Sequence, residues 1–408
     1  MPFLKISYFQ KEKTMHIKIY IGVILCFFTT YIYADKSISL EPHNWCPAVK
    51  EQLEKLIVAN AHQGKKVVFD FDNTVICRDI GEAMFATMAA DKKLRLHNDL
   101  DPSFAFAGKK YGAAHSTDVV AYYENYLAMS KDMDVETPYS NGYAWLAQVM
   151  RGMSPSVVAR YTHKTFADNI AAHDHPQSST IAGYRRPFFY PEMVDLAGTL
   201  LRNGYDVYVI SASNVWTVRW MVTQQLNARI QQKFGKNVKI AADHVIGVSV
   251  LLKDRRDDKL YKDAYLVRNN KDYAAMKASE LENYTLTSEI TYPLTGYFGK
   301  VANIFKYISQ HRPFLVCGDS PNDFPMLNWG ENRLFITRLE KMDYQKKLVQ
   351  QMNKSLPGKW LLQPTLYKKS PGFVSSRSTL ELRLKSKQYM DVVDLLEKSQ
   401  YLRGFSAK

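Results

Sequence analysis

Apolar and polar positions along the chain alternate between two rhythms. Short unbroken apolar runs, "VVF" at Val67–Phe69, "DVYVIS" at Asp206–Ser211, "PFLVC" at Pro313–Cys317 and "RLFIT" at Arg333–Thr337, read as buried strands. Between them lie longer stretches with apolar residues every three to four positions. "NWCPAVKEQLEKLIVANAHQG" predicts a helix with Val49, Leu53, Leu56 and Ile57 on one face and a stop near Gly64. "YPEMVDLAGTLLRNG" predicts another, started by Pro191, with Met193, Leu196, Leu200 and Leu201 on its apolar face and Gly204 at its end. Strands that alternate with helices imply a parallel α/β sheet, with ligands beyond the carboxyl ends of its strands. The expected fold is therefore a Rossmann-like parallel core.

The stretch from about Asp79 to Arg186 reads differently. "DIGEAMFATMAADKKL", "STDVVAYYENYLAMSKDM" and "SPSVVARYTHKTFADNI" are all helical in period, the last with Ser154-Pro155 as N-cap and first-turn residue. It predicts a mostly helical domain, 79–186, inserted after the first strand, the core being 35–78 and 187–365. "HVIGVSVLL" is β-rich, "DRRDDKLYKDAYLVRNNKD" reads as an exposed loop or lobe, and residues 366–408 read as a basic, locally helical tail.

At the other end, a basic start at His16–Lys18 precedes an apolar run from Ile19 to about Ala34. The run is shorter than the ~20 residues a membrane span prefers and has the layout of a secretory leader, 1–34, with Met15 as the expected start and no stable span after its removal. The chain is thus expected to be exported, periplasmic or secreted. Loss of four lysines against one glutamate lowers the net charge from +14 to +11. With no zinc-finger spacing, P-loop or RNA-binding signature, this basicity does not argue for nucleic acid. Cys46, Cys77 and Cys317 remain; Cys317 falls in a strand and is expected to be a buried thiol, and pairing of Cys46 with Cys77 is left open.

Chemistry gathers at the strand ends. The first apolar run stops at Asp70 and Asp72, the second at Ser211, and the third at Gly318-Asp319-Ser320 with Asp323 following. Like charges at one strand end are costly without a cation. Gly299-Lys300 precedes a helix, "GKVANIFKYISQH", where phosphate is welcome; the competing Lys306 lies mid-helix and reads as a solvated face.

"DFDNT", "ISAS", "GK" and "GDSPND", in this order, resemble the haloacid dehalogenase superfamily of phosphohydrolases. The position of the insertion matches the helical cap of its phosphoserine-phosphatase-like branch. The resemblance implies Asp70 as a nucleophile that forms an aspartyl-phosphate. Asp72 is then the general acid and base, and its main-chain carbonyl joins Asp70, Asp319 and Asp323 around Mg²⁺ or another divalent ion. Ser211, Thr74 and Lys300 fall to the phosphate, with Lys300 also balancing Asp70 and Thr74 fixing the turn.

The "NWCP" opening, "DIGEA", "GKVANI", "GDSPNDFPML" and "WLLQP" are also similar to the exported phosphorylcholine phosphatases of bacteria, over about Asn44 to Pro364. That implies a small phosphoester substrate carrying a quaternary ammonium, which aromatic faces and a carboxylate would hold. Glu82, which fits a helix N-terminus equally well, and Trp216 are the candidates, beside cap aromatics such as Tyr122, Tyr123 and Trp145 whose helical spacing reads more as core. Two rivals share the fold. One is a phosphoserine-like or broad phosphatase without an aromatic cage. The other is an exported binding protein without catalysis, against which the intact motifs argue.

Overall fold

The computed structural model describes residues 38–42, 44–94, 119–124, 136–167, 180–181, 183–269, 276–353, 357–384, 387, 389–399, 402 and 405. The leader segment 1–34 and most of the stretch "STDVVAYYENYLAMSKDM" lie outside the described residues.

Seven strands make the main sheet: β1 (Lys66–Phe69), β2 (Asp206–Asn214), β3 (Val245–Val248), β4 (Leu315–Gly318), β5 (Asn332–Arg338), β6 (Lys359–Leu366) and β7 (Gly372–Phe373). Their spatial order is β7-β6-β5-β4-β1-β2-β3. All neighbours are parallel except β7, which runs antiparallel to β6. A parallel sheet covered on both faces needs strands that are apolar throughout, which is why unbroken runs rather than alternation marked them. Order reverses between β1 and β4: from β1 the chain steps outward to β2 and β3, then returns to β4 on the other side. The crevice at such a reversal is where a doubly wound sheet binds ligands.

Helices cover the sheet as their periodicity predicts. Helix α1 (Pro47–Ala59) buries Val49, Leu53 and Ile57. The Pro191–Arg202 helix carries its proline in the first turn and buries Met193, Leu196 and Leu200. Cys46, Cys77 and Cys317 are all buried thiols.

The insertion shares a second apolar cluster with later parts of the chain, Trp216 and Val248 among them. Helices α2 (Ile80–Ala90), α3 (Glu136–Gln148) and α4 (Pro155–Ala167) contribute Met84, Phe85, Met88, Trp145 and Val158 to it. Val250, Leu252 and Leu286 join it. They belong to a small antiparallel sheet of Val250–Asp254, Leu260–Tyr261 and Tyr284–Ile290. The β-rich "HVIGVSVLL" is therefore two strands that part at Ser249, one in the main sheet and one here. The burial of Val250, Leu252 and Asp254 alternates with more open Leu251 and Lys253, the signature of a one-sided antiparallel strand. The polar stretch expected as an exposed loop holds a short strand and the helix Asp263–Asn269, with Asp254 and Asp263 buried.

The C-terminal segment corrects the reading of 366–408 as a basic tail. Strand β7 extends the main sheet, and helices Arg377–Leu384 and Met390–Lys398 follow it. Phe373, Leu380, Val393, Leu396, Leu402 and Phe405 are buried in the principal core, and Phe373 meets Trp45 edge to face at 5.0 Å. The exposed lysines Lys387 and Lys398 hide a buried apolar stripe, which a count of charge without its phase misses. Arg377 is spent internally on Asp394 and Glu397. Leu396→Ala is expected to cost about 2–5 kcal/mol in urea unfolding. Lys387→Ala, exposed between the two helices, should stay within about 0.5 kcal/mol of wild type.

Candidate active site

Strand β1 ends at Phe69, so Asp70 and Asp72 lie beyond its last strand residue and do not share one face. The chain turns at once: the Val75 amide donates to the Phe71 carbonyl at 2.8 Å, and Asn73 takes a positive φ of 58°. Asp70 therefore faces β4, and Asp72 faces β2.

On the β4 side, Lys300 Nζ donates to Asp70 Oδ1 at 2.7 Å and to Asp323 Oδ1 at 2.6 Å, at only 1% exposure. The Thr74 hydroxyl donates to Asp70 Oδ2 at 3.0 Å and lies 3.4 Å from Asp319 Oδ1. Asp323 closes the loop after β4: its Oδ2 accepts from the amides of Asp319 and Ser320 and from the Ser320 hydroxyl. Gly318 permits this, since a Cβ there would stand 2.6 Å from that of Asp323. One oxygen from each of Asp70, Asp319 and Asp323 can be chosen so that all lie within 4.8 Å of one another.

On the β2 side, Asp72 Oδ2 accepts from the hydroxyls of Ser211 (3.0 Å) and Ser213 (2.7 Å), and its Oδ1 accepts from the Ile80 amide at 2.8 Å. Ile80 opens α2, so the chain enters the insertion hydrogen-bonded to this carboxylate. Asp79 caps α2 by accepting from the Glu82 amide. Gly81 lets the first turn settle on Ser213, whose Oγ would lie 2.5 Å from a Cβ at that position.

Burial sets the electrostatics. Desolvation, then repulsion from Asp323 and attraction to Lys300, leaves Asp70 raised to about 7. Desolvation and the charge of Asp79 push Asp72 to about 8, against the pull of its hydrogen bonds. Asp319 is raised to about 8, again first by desolvation, with Arg338 opposing. Burial tends to discharge Lys300, but the charges of Asp323 and Asp70 outweigh it and raise its pKa. An oxygen-only set of buried carboxylates, two of them, Asp70 and Asp319, raised chiefly by desolvation, has the donor chemistry of a hard divalent cation such as Mg²⁺.

The candidate residues thus fall into two groups. Asp70, Thr74, Lys300, Asp319 and Asp323 meet directly; Asp72 and Ser211 meet beside them. Glu82, half-buried in the first turn of α2, accepts a hydrogen bond from Tyr123 at 3.1 Å. Burial raises its pKa, and Asp72 adds to the rise while Lys341 and Arg338 oppose it. Trp216 is not brought to the site as a ring for a cation. It is 3% exposed in the second apolar cluster, and its indole N–H donates to Asp263, which Arg219 grips with both terminal nitrogens. Tyr122 and Tyr123 stack on Trp145 at 5.0 and 6.3 Å and are core. Two site residues escaped the sequence reading. Ser213 stands two places after Ser211, inside the quoted motif. Arg338 pairs with Asp319 from the end of β5, and its signal was of the same kind as that of Asp319: a charge that ends an apolar strand.

No family model matches the chain. Among curated proteins, the phosphorylcholine phosphatase of Pseudomonas aeruginosa is 30% identical over 320 residues, 76% of this chain and 84% of that protein. Among solved structures, a protein of unknown function from Anaerococcus prevotii superposes with a TM-score of 0.50 at 18% identity, covering 83% of this chain and 97% of that one. A haloacid dehalogenase family hydrolase from Salmonella enterica superposes only loosely, at 0.33 and 12% identity over 68% of this chain and 64% of its own. Fold, site and relative together define a phosphoric monoester hydrolase of the haloacid dehalogenase type. Within that class the chain belongs to the phosphorylcholine phosphatase family.

The raised carboxyls make stability depend on pH. Asp70, Asp72 and Asp319 hold protons in the folded state that the unfolded chain, with ordinary values near 3.8, gives up. Their contribution is full below about pH 4 and is lost as pH rises through 7 to 8. In chelator the thermal midpoint should therefore fall between pH 5 and pH 8. Added Mg²⁺ should restore it more at pH 8 than at pH 5.

Proposed function

We propose that this protein is an exported, Mg²⁺-dependent phosphomonoesterase that works through an aspartyl-phosphate and acts on a small cationic phosphoester, phosphocholine foremost. The observation that carries the reading is Asp70, held between Lys300 and Thr74 at the β1/β4 reversal, beside Asp319 and Asp323.

Asp70 attacks phosphorus and the ester P–O bond breaks. The leaving oxygen takes its proton from Asp72, whose raised pKa keeps it protonated near neutrality. A water then gives its proton to Asp72 and attacks the acyl phosphate, which frees orthophosphate and restores Asp70. Lys300 balances Asp70 and Asp323 throughout and offers positive charge to the phosphoryl oxygens. Ser213 holds the Asp72 carboxyl toward the leaving group, and Ser211 and Thr74 would serve the phosphoryl oxygens by turning their hydroxyls away from Asp72 and Asp70. The carboxylates of Asp70, Asp319 and Asp323 and the Asp72 carbonyl would hold Mg²⁺, which when bound neutralises charge on the phosphoryl group.

The leaving group has to lie on the Asp72 side, next to the start of α2. There Glu82 supplies a carboxylate, held by the hydrogen bond from buried Tyr123. A carboxylate suits a quaternary ammonium, and the relative from Pseudomonas aeruginosa is named for phosphorylcholine. Export rests on the leader-like apolar run. No helix among the described residues is long and apolar enough to cross a membrane.

Phosphate release with Mg²⁺ from phosphocholine, phosphoserine and p-nitrophenyl phosphate tests the reading. Phosphocholine should give the highest kcat/KM, and Asp70→Asn should lower every rate on the order of a thousandfold or more. Glu82→Gln should raise KM for phosphocholine about tenfold and leave p-nitrophenyl phosphate unchanged. Equal turnover of all three esters would favour a broad phosphatase. No turnover of any would favour a binding protein on this fold.

A further inference from the structure

Arg338 is the last residue of β5, beside the strand that ends in Asp319. Its guanidinium pairs with Asp319 Oδ2, at 7% exposure. It lies 5.4 Å from the ring centre of Tyr367, just after β6, and 5.5 Å from that of Tyr344, on the helix Met342–Met352. A carboxylate and two rings from three separate elements therefore surround the guanidinium, and Lys341 Nζ reaches the same two rings from outside, at 5.5 and 5.7 Å.

Asp319 is divided between two neighbours. Its Oδ1 lies on the Thr74 and Asp70 side, and its Oδ2 is given to Arg338. A divalent cation among Asp70, Asp319 and Asp323 would thus share Asp319 with a permanent positive charge. Taken with ionised carboxylates, Asp70, Asp319 and Asp323 against Lys300 and Arg338 leave one negative charge. A dication makes the site singly positive, and a phosphate dianion then returns it to singly negative. Without Arg338 the same steps run from two negative charges to zero and back to two, so the cation would bind better and the anion worse.

We infer that Arg338 is a positioning residue that lowers the site's affinity for the divalent cation and thereby raises its affinity for phosphate. This rests on the reading of the three aspartates as a divalent-cation site. It concerns a charge that no motif of the superfamily resemblance supplies.

The test uses the whole protein and calorimetry in place of turnover. Mg²⁺ is titrated into wild type, Arg338→Gln and Arg338→Lys; orthophosphate is then titrated into each at saturating Mg²⁺. Arg338→Gln should bind Mg²⁺ about tenfold more tightly and orthophosphate at least about tenfold more weakly. Arg338→Lys, which keeps the charge, should stay within a few-fold of wild type in both. Weaker Mg²⁺ binding with unchanged phosphate in Arg338→Gln would overturn the inference and make the arginine a brace for Asp319 only. So would equal changes in the two variants, since charge would not be the cause. If Arg338→Gln does not fold, Arg338→Lys decides: a shift of either affinity by tenfold or more overturns the proposal, and near-wild-type values uphold it. Failure of wild type itself to bind Mg²⁺ would remove the cation site, a result distinct from either.

Discussion

A single buried ammonium group holds the site together. Lys300 touches Asp70 and Asp323 at once, and almost none of its surface is exposed. Carboxylates crowded in a dry crevice cannot all keep their charge, and removal of one partner from such a group is strongly destabilising. The local geometry around the crevice serves that contact. Adjacent parallel strands bring Asp70 and Asp319 side by side. Gly318 lets Asp323 fold back on the loop, and the short helix Phe298–Asn303 delivers the lysine between the carboxylates. The fold's reversal of strand order supplies the place, and the lysine makes it habitable for acids.

The two aspartates after β1 then acquire different characters without any difference in residue type. Asp70 looks toward cations, Lys300 foremost. Asp72 looks toward neutral donors: two hydroxyls and one backbone amide. Burial and the neighbouring Asp79 keep the proton on Asp72 despite those donors, whereas the cation beside Asp70 favours its charged form. One turn of backbone, shaped by Asn73 at positive φ, thus separates a group suited to attack from a group suited to proton transfer.

Much of this was legible in the sequence because its signals are local. An apolar run that stops in a charge needs no knowledge of tertiary structure, and Asp70, Ser211 and Asp319 were found that way. The same rule, applied once more to "RLFITR", would have found Arg338. What escaped depends on distance in space. The strand Val250–Asp254 has the composition of a core strand, and only its pairing with Tyr284–Ile290 assigns it to the second sheet. Trp216 stands a few residues from Ser211 along the chain, yet its ring turns into the second cluster toward Asp263, a partner 47 residues away. The basic helices near the C-terminus advertise their charge, while the stripe of Leu380, Val393 and Leu396 that fixes them is visible only in phase.

The topology also governs when the crevice can exist. In the sheet, Val67 on β1 lies between Val207 and Leu315, 140 and 248 positions later in the chain. The principal core is sealed only by residues as late as Leu396 and Phe405. A strand whose both neighbours arrive so late has edges open through most of synthesis, and closing loops of that length is entropically slow. The carboxylates of the site can be gathered only once β4 has been made and has paired with β1, three-quarters of the way along the chain.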